Sequence, residues 1–478
     1  MAQAETSGRP SAALRAVLIP LALAQFICSF AGSNMNVMIN DMSKDLDTTV
    51  QGIQVAITAF LLTMAALMIP CGKLTDRYGR VRLFRLGLVV YAVGALLSAA
   101  APGLGVLILG NSILEGVGTA LLIPPVYILT TLLFVGTTSR ARAFGAISAA
   151  AGLGAAAGPL IGGLITSALS WRAAFVFQAC VIAVIVWLSR RLHDPVAADP
   201  SRPFDLEGAI LSAVGLVLLV MGILAADNNV WLMLGLLVAG ALFLLGFFAS
   251  VRAKERAGKE PLLSTSLFRN RVSNLALVTQ NLQWPILMGM SFTVAAYLQV
   301  VRHYSAIDTG VIFTAATIGL LLSSIGAERF AKRRAQRTLI MAGFAVTVVG
   351  VGLLLGLVYA SDSAWALAPG LFVAGFGIGA MLTPSINVVQ SSFGDDEQSE
   401  ISGLSRSVSN LGSAMGTAIA GTILVARADK HAYAAAMIVL GVFALVGLGA
   451  SVFLPNKRPS QVAVPAPRDT SGLPATTA

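Results

Sequence analysis

The sequence predicts an all-α polytopic membrane protein, on three observations. Apolar runs of about 20 residues recur from end to end, long enough to cross a bilayer core as helices. Of 478 residues, 56% are hydrophobic and only 11% charged, against about a quarter charged in a soluble chain; the mean hydropathy is +0.82. Lys and Arg lie between the apolar runs and favour alternate connections, as the positive-inside rule requires.

The net charge of +10 therefore marks the loops of one face and argues against a nucleic-acid partner. Cys28, Cys71 and Cys180 fall in or at the edge of apolar runs, with neither a disulfide framework nor metal-ligand spacing.

Fourteen spans are expected in order. The first, 14–39, follows a short tail (1–13) expected to be disordered. It is too long for a signal-peptide core and lacks a small-residue cleavage site. Runs at 51–71, 83–101, 104–133, 142–168 and 172–189 follow, and end at the polar stretch R-R-L-H-D-P-V-A-A-D-P-S-R-P. Two more, 206–226 and 230–251, precede the basic segment V-R-A-K-E-R-A-G-K-E-P. Runs at 272–300, 306–328, 338–360, 364–390, 400–426 and 432–454 complete the set, before a Pro-, Ala- and Thr-rich tail (457–478) expected to be disordered. The plan is a six-helix bundle over 14–192, a linker with two inserted helices over 193–260, and a second six-helix bundle over 261–456. With this count, one face collects nearly all the Lys and Arg, and the other receives only Lys44, Arg172, Arg302, Arg427 and Lys430. Both termini are then cytoplasmic.

The sharpest motif is G-K-L-T-D-R-Y-G-R-V-R, Gly72 to Arg82, between spans 2 and 3. Gly72 and Gly79 permit a tight turn and close helix approach. Asp76 suits a helix N-terminus, and Arg77, Arg80 and Arg82 can bridge to carboxylates or carbonyls of another helix. In span 5, G-L-G-A-A-A-G-P-L-I-G-G places Gly154, Gly158 and Gly162 on one face, with Gly163 beside them, for backbone-to-backbone packing. Pro159 loosens that helix. No βαβ context surrounds these glycines, so they are not a nucleotide fingerprint.

The loop 2–3 string resembles the signature of the major facilitator superfamily. The span 5 string resembles the antiporter motif of its drug exporters, and the span count is similar to the drug:proton antiporter family with fourteen spans. Asn36 with Val37, Trp171 with Arg172, and S-G-L-S-R-S-V-S-N-L-G-S-A-M-G in span 13 are further echoes, and Gly326 to Arg337 looks like a weakened repeat of the loop 2–3 string. The resemblance implies the major facilitator fold and transport by alternating access. Its driving force would be a proton gradient with no bound cofactor, and its setting the plasma membrane with a small-molecule substrate, lipids around it and a monomeric state. Two departures stand out. Ala31 occupies the place of the family's span 1 aspartate, and Ser112 that of its span 4 arginine, while the neighbouring glutamine is Glu115.

Glu115 is the only acid at mid-depth in a span, roughly 17 Å from the end at 1.5 Å per residue. A carboxyl there is costly in hydrocarbon, and it is expected to hold its proton while buried and release it when the cavity opens to water. It is the candidate proton-coupling group; permanent hydrogen-bonded packing is the alternative. Gln25, Ser29, Ser33, Asn36 and Asn40 recur at helical spacing on span 1 as a polar stripe facing a cavity or another polar helix. Asn111 extends that surface. In span 9, Gln280, Gln283, Trp284, Met288 and Tyr297 combine amide, aromatic and thioether surface suited to an amphiphilic ligand. Arg406 is expected to pair with Glu400 or with Asp395, Asp396 and Glu397, and a substrate-anion role is its alternative.

The expected activity is proton-coupled efflux of a hydrophobic or amphiphilic small molecule, with Asp76 and its arginines latching the cytoplasmic side and the span 5 glycines forming the sliding contact. A lipid or natural-product exporter with different ion coupling is the alternative. No nucleophile elbow, phosphate loop or metal cluster suggests an enzyme.

Overall fold

The computed structural model describes residues 12–134, 137–226, 229–331, 335–361, 363–394, 397–427 and 429–456. The expected tails fall almost wholly outside these residues, although the first helix already begins at Ala12.

All secondary structure among the described residues is helical. The long helices are α1 (Ala12–Asn34), α2 (Val50–Tyr78), α3 (Arg80–Ala99), α4 (Leu104–Leu133), α5 (Thr137–Ala168), α6 (Trp171–Ser189) and α7 (Leu206–Leu224). They continue as α8 (Val230–Arg256), α9 (Arg271–Val301), α10 (Ala306–Ala331), α11 (Gln336–Ala360), α12 (Ala364–Gln390), α13 (Gln398–Arg427) and α14 (Lys430–Val452). Six of the starts carry side-chain caps. Thr49, Ser170, Asp205, Asn229, Asn270 and Asp429 each accept a hydrogen bond from a backbone N–H of the first turn.

Among the described residues, twelve helices are long and apolar enough to cross a membrane, or thirteen if the bent α5 counts as one span. Fourteen spans are not reached on that measure. The helix left over is α13, thirty residues long, whose Ser, Gly and Asn content lowers its hydropathy. Ser405 and Ser407 donate to Gln280 of α9 and the Ala65 carbonyl of α2, while Ser409 and Ser413 donate back to carbonyls of α13 itself, and bonds of both kinds let such a helix be tolerated in a bilayer. Two boundaries also differ. The first helix stops at Asn34, and the chain continues through a 3₁₀ turn, Met35–Val37, and a short helix, Ile39–Asp45. The second runs to Tyr78, through most of the loop motif, and breaks at Gly79, whose φ of 93° a residue with a Cβ adopts only with strain.

α5 bends by 41° between Arg142–Ala155 and Ala157–Ala168. Pro159 lacks the N–H that would reach the Ala155 carbonyl, and its ring crowds that same carbonyl, so the bend falls where the ladder is interrupted.

The inserted helices α7 and α8 pack on each other, and α7 also rests on α2 and α13. Gly215 and Gly240 meet at their crossing. The outer face of α8 is apolar and exposed, with Trp231 83% and Leu242 61% accessible, as a lipid-facing surface requires. The pair is fastened at the Arg- and Lys-rich face, where Lys254 Nζ donates to Asp205 Oδ1 at 2.6 Å and Glu207 Oε2 at 2.8 Å. Burial by itself would raise the Asp205 carboxyl, but hydrogen bonds from Lys254 and from the backbone N–H groups of Gly208 and Leu262 outweigh it and hold it below the usual range.

Candidate functional site

The first nine residues of α13 and the last turns of α2 and α4 enclose a narrow cleft on the basic half of the molecule. Met68, Ile123, Pro124, Tyr127, Ile128, Ser402, Gly403 and Arg406 line it around a void of about 10 Å³. That is far below the 300–1,000 Å³ of typical ligand pockets, so this conformer is closed around it. The Arg406 guanidinium lies 4.5 Å from the centre of the Tyr127 ring, in cation–π range. The Tyr127 hydroxyl donates to Gln25 Oε1 at 3.2 Å, and Gln25 Nε2 donates to Ser29 Oγ at 3.2 Å. Part of the span 1 stripe therefore supports the cleft through Tyr127.

Arg406 does not pair with Glu400. Glu400 Oε1 accepts from Lys73 Nζ at 2.5 Å, and its Oε2 accepts from the Ser264 backbone N–H. Arg406 sits eight residues into the helix, about 12 Å from its start at 1.5 Å per residue, out of reach of acids at that end. Glu397 instead accepts from Ser266 Oγ; Asp395 and Asp396 lie outside the described residues. Among the described residues no carboxylate pairs with Arg406.

Glu115 is fully buried, in a π-helical segment of α4, Ile108–Glu115. Such segments widen a helix locally and often occur at functional positions. The segment forms where α3 comes close: a Cβ at Gly94 would meet the Gly110 carbonyl and the Glu115 backbone nitrogen. Asn111 Nδ2 donates to Glu115 Oε2 at 3.4 Å, while Oε1 has no hydrogen-bond partner. Tyr91, Ser98 and Cys28 stand around it, and Tyr91 donates to Gln178 Oε1 on α6 at 2.5 Å. Glu115 thus sits among polar groups of α1, α3 and α4, backed through Tyr91 by Gln178 of α6, and does not line the cleft. Ser112, at the place of the family's arginine, donates to the Ala56 carbonyl of α2 at 2.7 Å. Ala31, at the place of the aspartate, is buried.

The outer part of the span 1 stripe is used in a seal on the opposite face. Asn36 Nδ2 donates to Ser291 Oγ at 3.1 Å, Gln299 Nε2 donates to the Asn36 carbonyl at 3.1 Å, and the Asn40 N–H donates to Gln299 Oε1 at 3.3 Å. Gln54 Nε2 adds bonds to the Thr417 and Ala418 carbonyls. These join α2 and the turn and short helix after α1 to α9 and α13, so the opposite face is closed by amide hydrogen bonds. Ser33 turns back onto the Ser29 and Phe30 carbonyls.

In span 9, Gln280 exchanges hydrogen bonds with Ser405 and Ser409 of α13, and Gln283 donates to Ser385 of α12. Tyr297 packs on Tyr433 and accepts from Arg302 Nε. Met288 is buried, and the Trp284 indole N–H has no partner. The amides expected at a cavity are engaged between helices instead.

Asp76 lies in the last turns of α2 and not at a helix N-terminus. Its carboxylate takes Arg80 Nη2 at 2.5 Å and Arg202 Nη1 at 3.3 Å. The residue that caps α3 is Asp194, which accepts from the N–H groups of Arg80 and Val81. Arg77 lies over the neighbouring Tyr78 ring, Arg82 is exposed, and Gly72 faces Pro124 of α4. Lys73 crosses the basic face to Glu400 of α13. The span 5 glycines behave as their spacing predicts. A Cβ at Gly154 or Gly158 would collide with Phe26 or Ser33 of α1, and one at Gly162 would press on Asn34; one at Gly163 would collide with Ala306 at the start of α10, and one at Gly310 with the Pro159 carbonyl.

Two elements escaped the sequence reading. Tyr127 carries no local signal beyond lying two residues after Pro124-Pro125. Arg406, a cation inside a span, is legible in the sequence, but its neighbour is the Tyr127 ring and not an acid near it in sequence.

Helices of this length, glycine-packed and joined across two halves by polar contacts, define a multi-pass helical membrane protein. A sequence profile of the Major Facilitator Superfamily matches residues 21–268, 213–417 and 283–476. The chain belongs to the Major Facilitator Superfamily. It is 30% identical over 412 residues to the puromycin resistance protein pur8 of Streptomyces alboniger, covering 85% of this chain and 81% of that one. It is 30% identical to the probable actinorhodin transporter of Streptomyces coelicolor, covering 84% and 71%. It is 26% identical to the multidrug resistance protein Stp of Mycobacterium tuberculosis, covering 86% and 75%. The fold matches a crystal structure of a POT family transporter in complex with a thioalcohol-conjugated peptide, with a TM-score of 0.68 at 17% identity over 92% of this chain and 96% of that one. These relatives make it a transport protein and not an enzyme.

Proposed function

We propose that this transporter is a proton-coupled exporter of hydrophobic or amphiphilic small molecules, working by alternating access as a monomer in the plasma membrane. The basic face, with both termini, is the cytoplasmic one. The N-terminal bundle (14–192) and the C-terminal bundle (261–456) rock against each other, and the segment 193–260 carries the two inserted helices at the rim. One observation carries the reading: the opposite face is closed by the Asn36, Gln299 and Gln54 hydrogen bonds while the cleft lies on the basic half. This is the arrangement of a carrier that loads from the cytoplasm. The relatives named for puromycin resistance and multidrug resistance support export.

Glu115 is the proton carrier in this scheme. It is the acid on α4, Ala31 leaves none at the family's span 1 position, and its Oε1 is free to exchange a proton once water reaches the pocket. Asp76, with Arg77, Arg80 and Arg82 beside it, holds the α2–α3 turn against the segment after α6, and Gly154, Gly158 and Gly162 give α5 a close, mobile contact with α1. The test is proton release from proteoliposomes on substrate addition. Glu115→Gln should abolish release while substrate binding persists; release at the wild-type level would remove Glu115 from the coupling. The relative named for actinorhodin supports a second reading, export of one natural product. A resistance profile of an expressing strain confined to one compound would favour it.

A further inference from the structure

We propose that Arg406 binds the anionic group of the transported amphiphile, so that the substrate class is an aromatic or aliphatic acid rather than a cation. The inference rests on the exporter reading and narrows it. Three features of the cleft carry it. Arg406 is a permanent cation set about 12 Å into α13, where a charge is costly without a partner, and no carboxylate among the described residues supplies one. Glu400, the acid of α13, is occupied by Lys73 and the Ser264 N–H. The guanidinium is held over the Tyr127 ring, and Tyr127 is itself fixed by its bond to Gln25. A guanidinium steadied by an aromatic ring keeps its N–H groups available for a carboxylate or phosphate, which it can take through two parallel hydrogen bonds.

The rest of the lining fits the other end of such a molecule. Met68, Ile123, Pro124 and Ile128 are apolar and lie on α2 and α4, across the cleft from α13. An amphiphile would place its acid on Arg406 and its hydrocarbon or ring against these side chains, Met68 adapting to its shape. Tyr127 belongs to α4 and Arg406 to α13, so the anion would bind where the two halves meet. The cleft is too small for a drug-sized body as it stands, so loading requires α4 and α13 to part. The same anionic chemistry could come from a soluble acid or from a lipid phosphate.

The test uses purified full-length protein in nanodiscs and three probes of one shape: 1-pyrenebutyrate, 1-pyrenebutanol and 4-(1-pyrenyl)butyl-trimethylammonium. Binding is read by fluorescence in phosphatidylcholine discs and again with phosphatidylglycerol added, and transport in proteoliposomes. Wild type should prefer the butyrate to the alcohol by at least tenfold and the cation least. Arg406→Gln should erase that preference while alcohol binding stays within twofold, which reports an intact fold, and Arg406→Lys should restore part of it. Equal binding of butyrate and alcohol by wild type, or a preference that survives Arg406→Gln, overturns the proposal. Suppression of butyrate binding by phosphatidylglycerol in wild type but not in Arg406→Gln would overturn the transported acid in favour of a lipid headgroup on the same residue. Arg406-dependent binding without transport of any probe would overturn the exporter reading and the transported-acid proposal while leaving the anion site.

Discussion

Two glycines two residues apart on α5 should answer alanine with opposite signs. In a helix interior, Gly→Ala gains roughly 1 kcal/mol from backbone entropy. At Gly152 that gain is unopposed, because the added Cβ meets only Leu320 Cδ2, at 3.8 Å, an ordinary van der Waals contact. At Gly154 the added methyl falls on the Phe26 carbonyl of α1, a backbone atom that cannot rotate away. α1 must back off, loosening the packing it shares with Gly158 and Gly162. Overpacking of this kind costs about 1–3 kcal/mol, which exceeds the entropic gain over most of that range, for a net loss of up to about 2 kcal/mol. Thermal unfolding of the purified protein in detergent is the assay, with each variant compared with wild type in the same detergent. Gly152→Ala should melt higher than wild type and Gly154→Ala lower. A Gly154→Ala protein melting at or above wild type would refute close backbone packing as the role of the motif.

Two further predictions follow from charges at the basic face. The Asp205 carboxyl is held low by Lys254 and two backbone N–H groups. The stability it adds is present above the ordinary aspartate value, near pH 4, and is lost as pH falls through its lower folded value. Asp205→Asn should cost about 2 kcal/mol at pH 7, and the gap from wild type should narrow at pH 3; a gap unchanged between the two would disprove the ionised role. Glu400 binds both Lys73 and the Ser264 N–H, so Glu400→Ala should destabilise more than Lys73→Ala. The coupling in the double mutant should be about 1 kcal/mol, since the pair is partly exposed. Equal costs for the two single variants would mean that the Ser264 bond contributes nothing.

Much of this protein was legible before any coordinates. The span at 104–133 coincides with α4, and the Gly154, Gly158, Gly162 spacing named the face that meets α1, because a period of four on a helix fixes a stripe whatever surrounds it. Even α13 was visible as a span from its position between two loops, although its composition fails a hydropathy measure. The partners of the polar residues were not legible. Arg406 was matched with acids near it in sequence, but the helix rise carries it away from them and onto Tyr127. Asp76 was placed at a helix start, whereas α2 runs past it and leaves the capping to Asp194, more than a hundred residues later.

The sequence by itself therefore determined the solvent and the stripes. Its apolar lengths require a bilayer, its cations orient the loops, and its small residues mark where helices touch. Tertiary structure decided which stripe meets which. It gave Asn36 to Ser291 and Gln299, Gln280 to Ser405 and Ser409, and Glu115 to a pocket beside Tyr91. The physical reason is that lipid tails are as apolar as leucine, so burial does not rank one neighbouring helix above another. In that solvent a polar side chain takes whichever partner the packed helices bring within hydrogen-bond reach, and one helix's sequence does not record its neighbours.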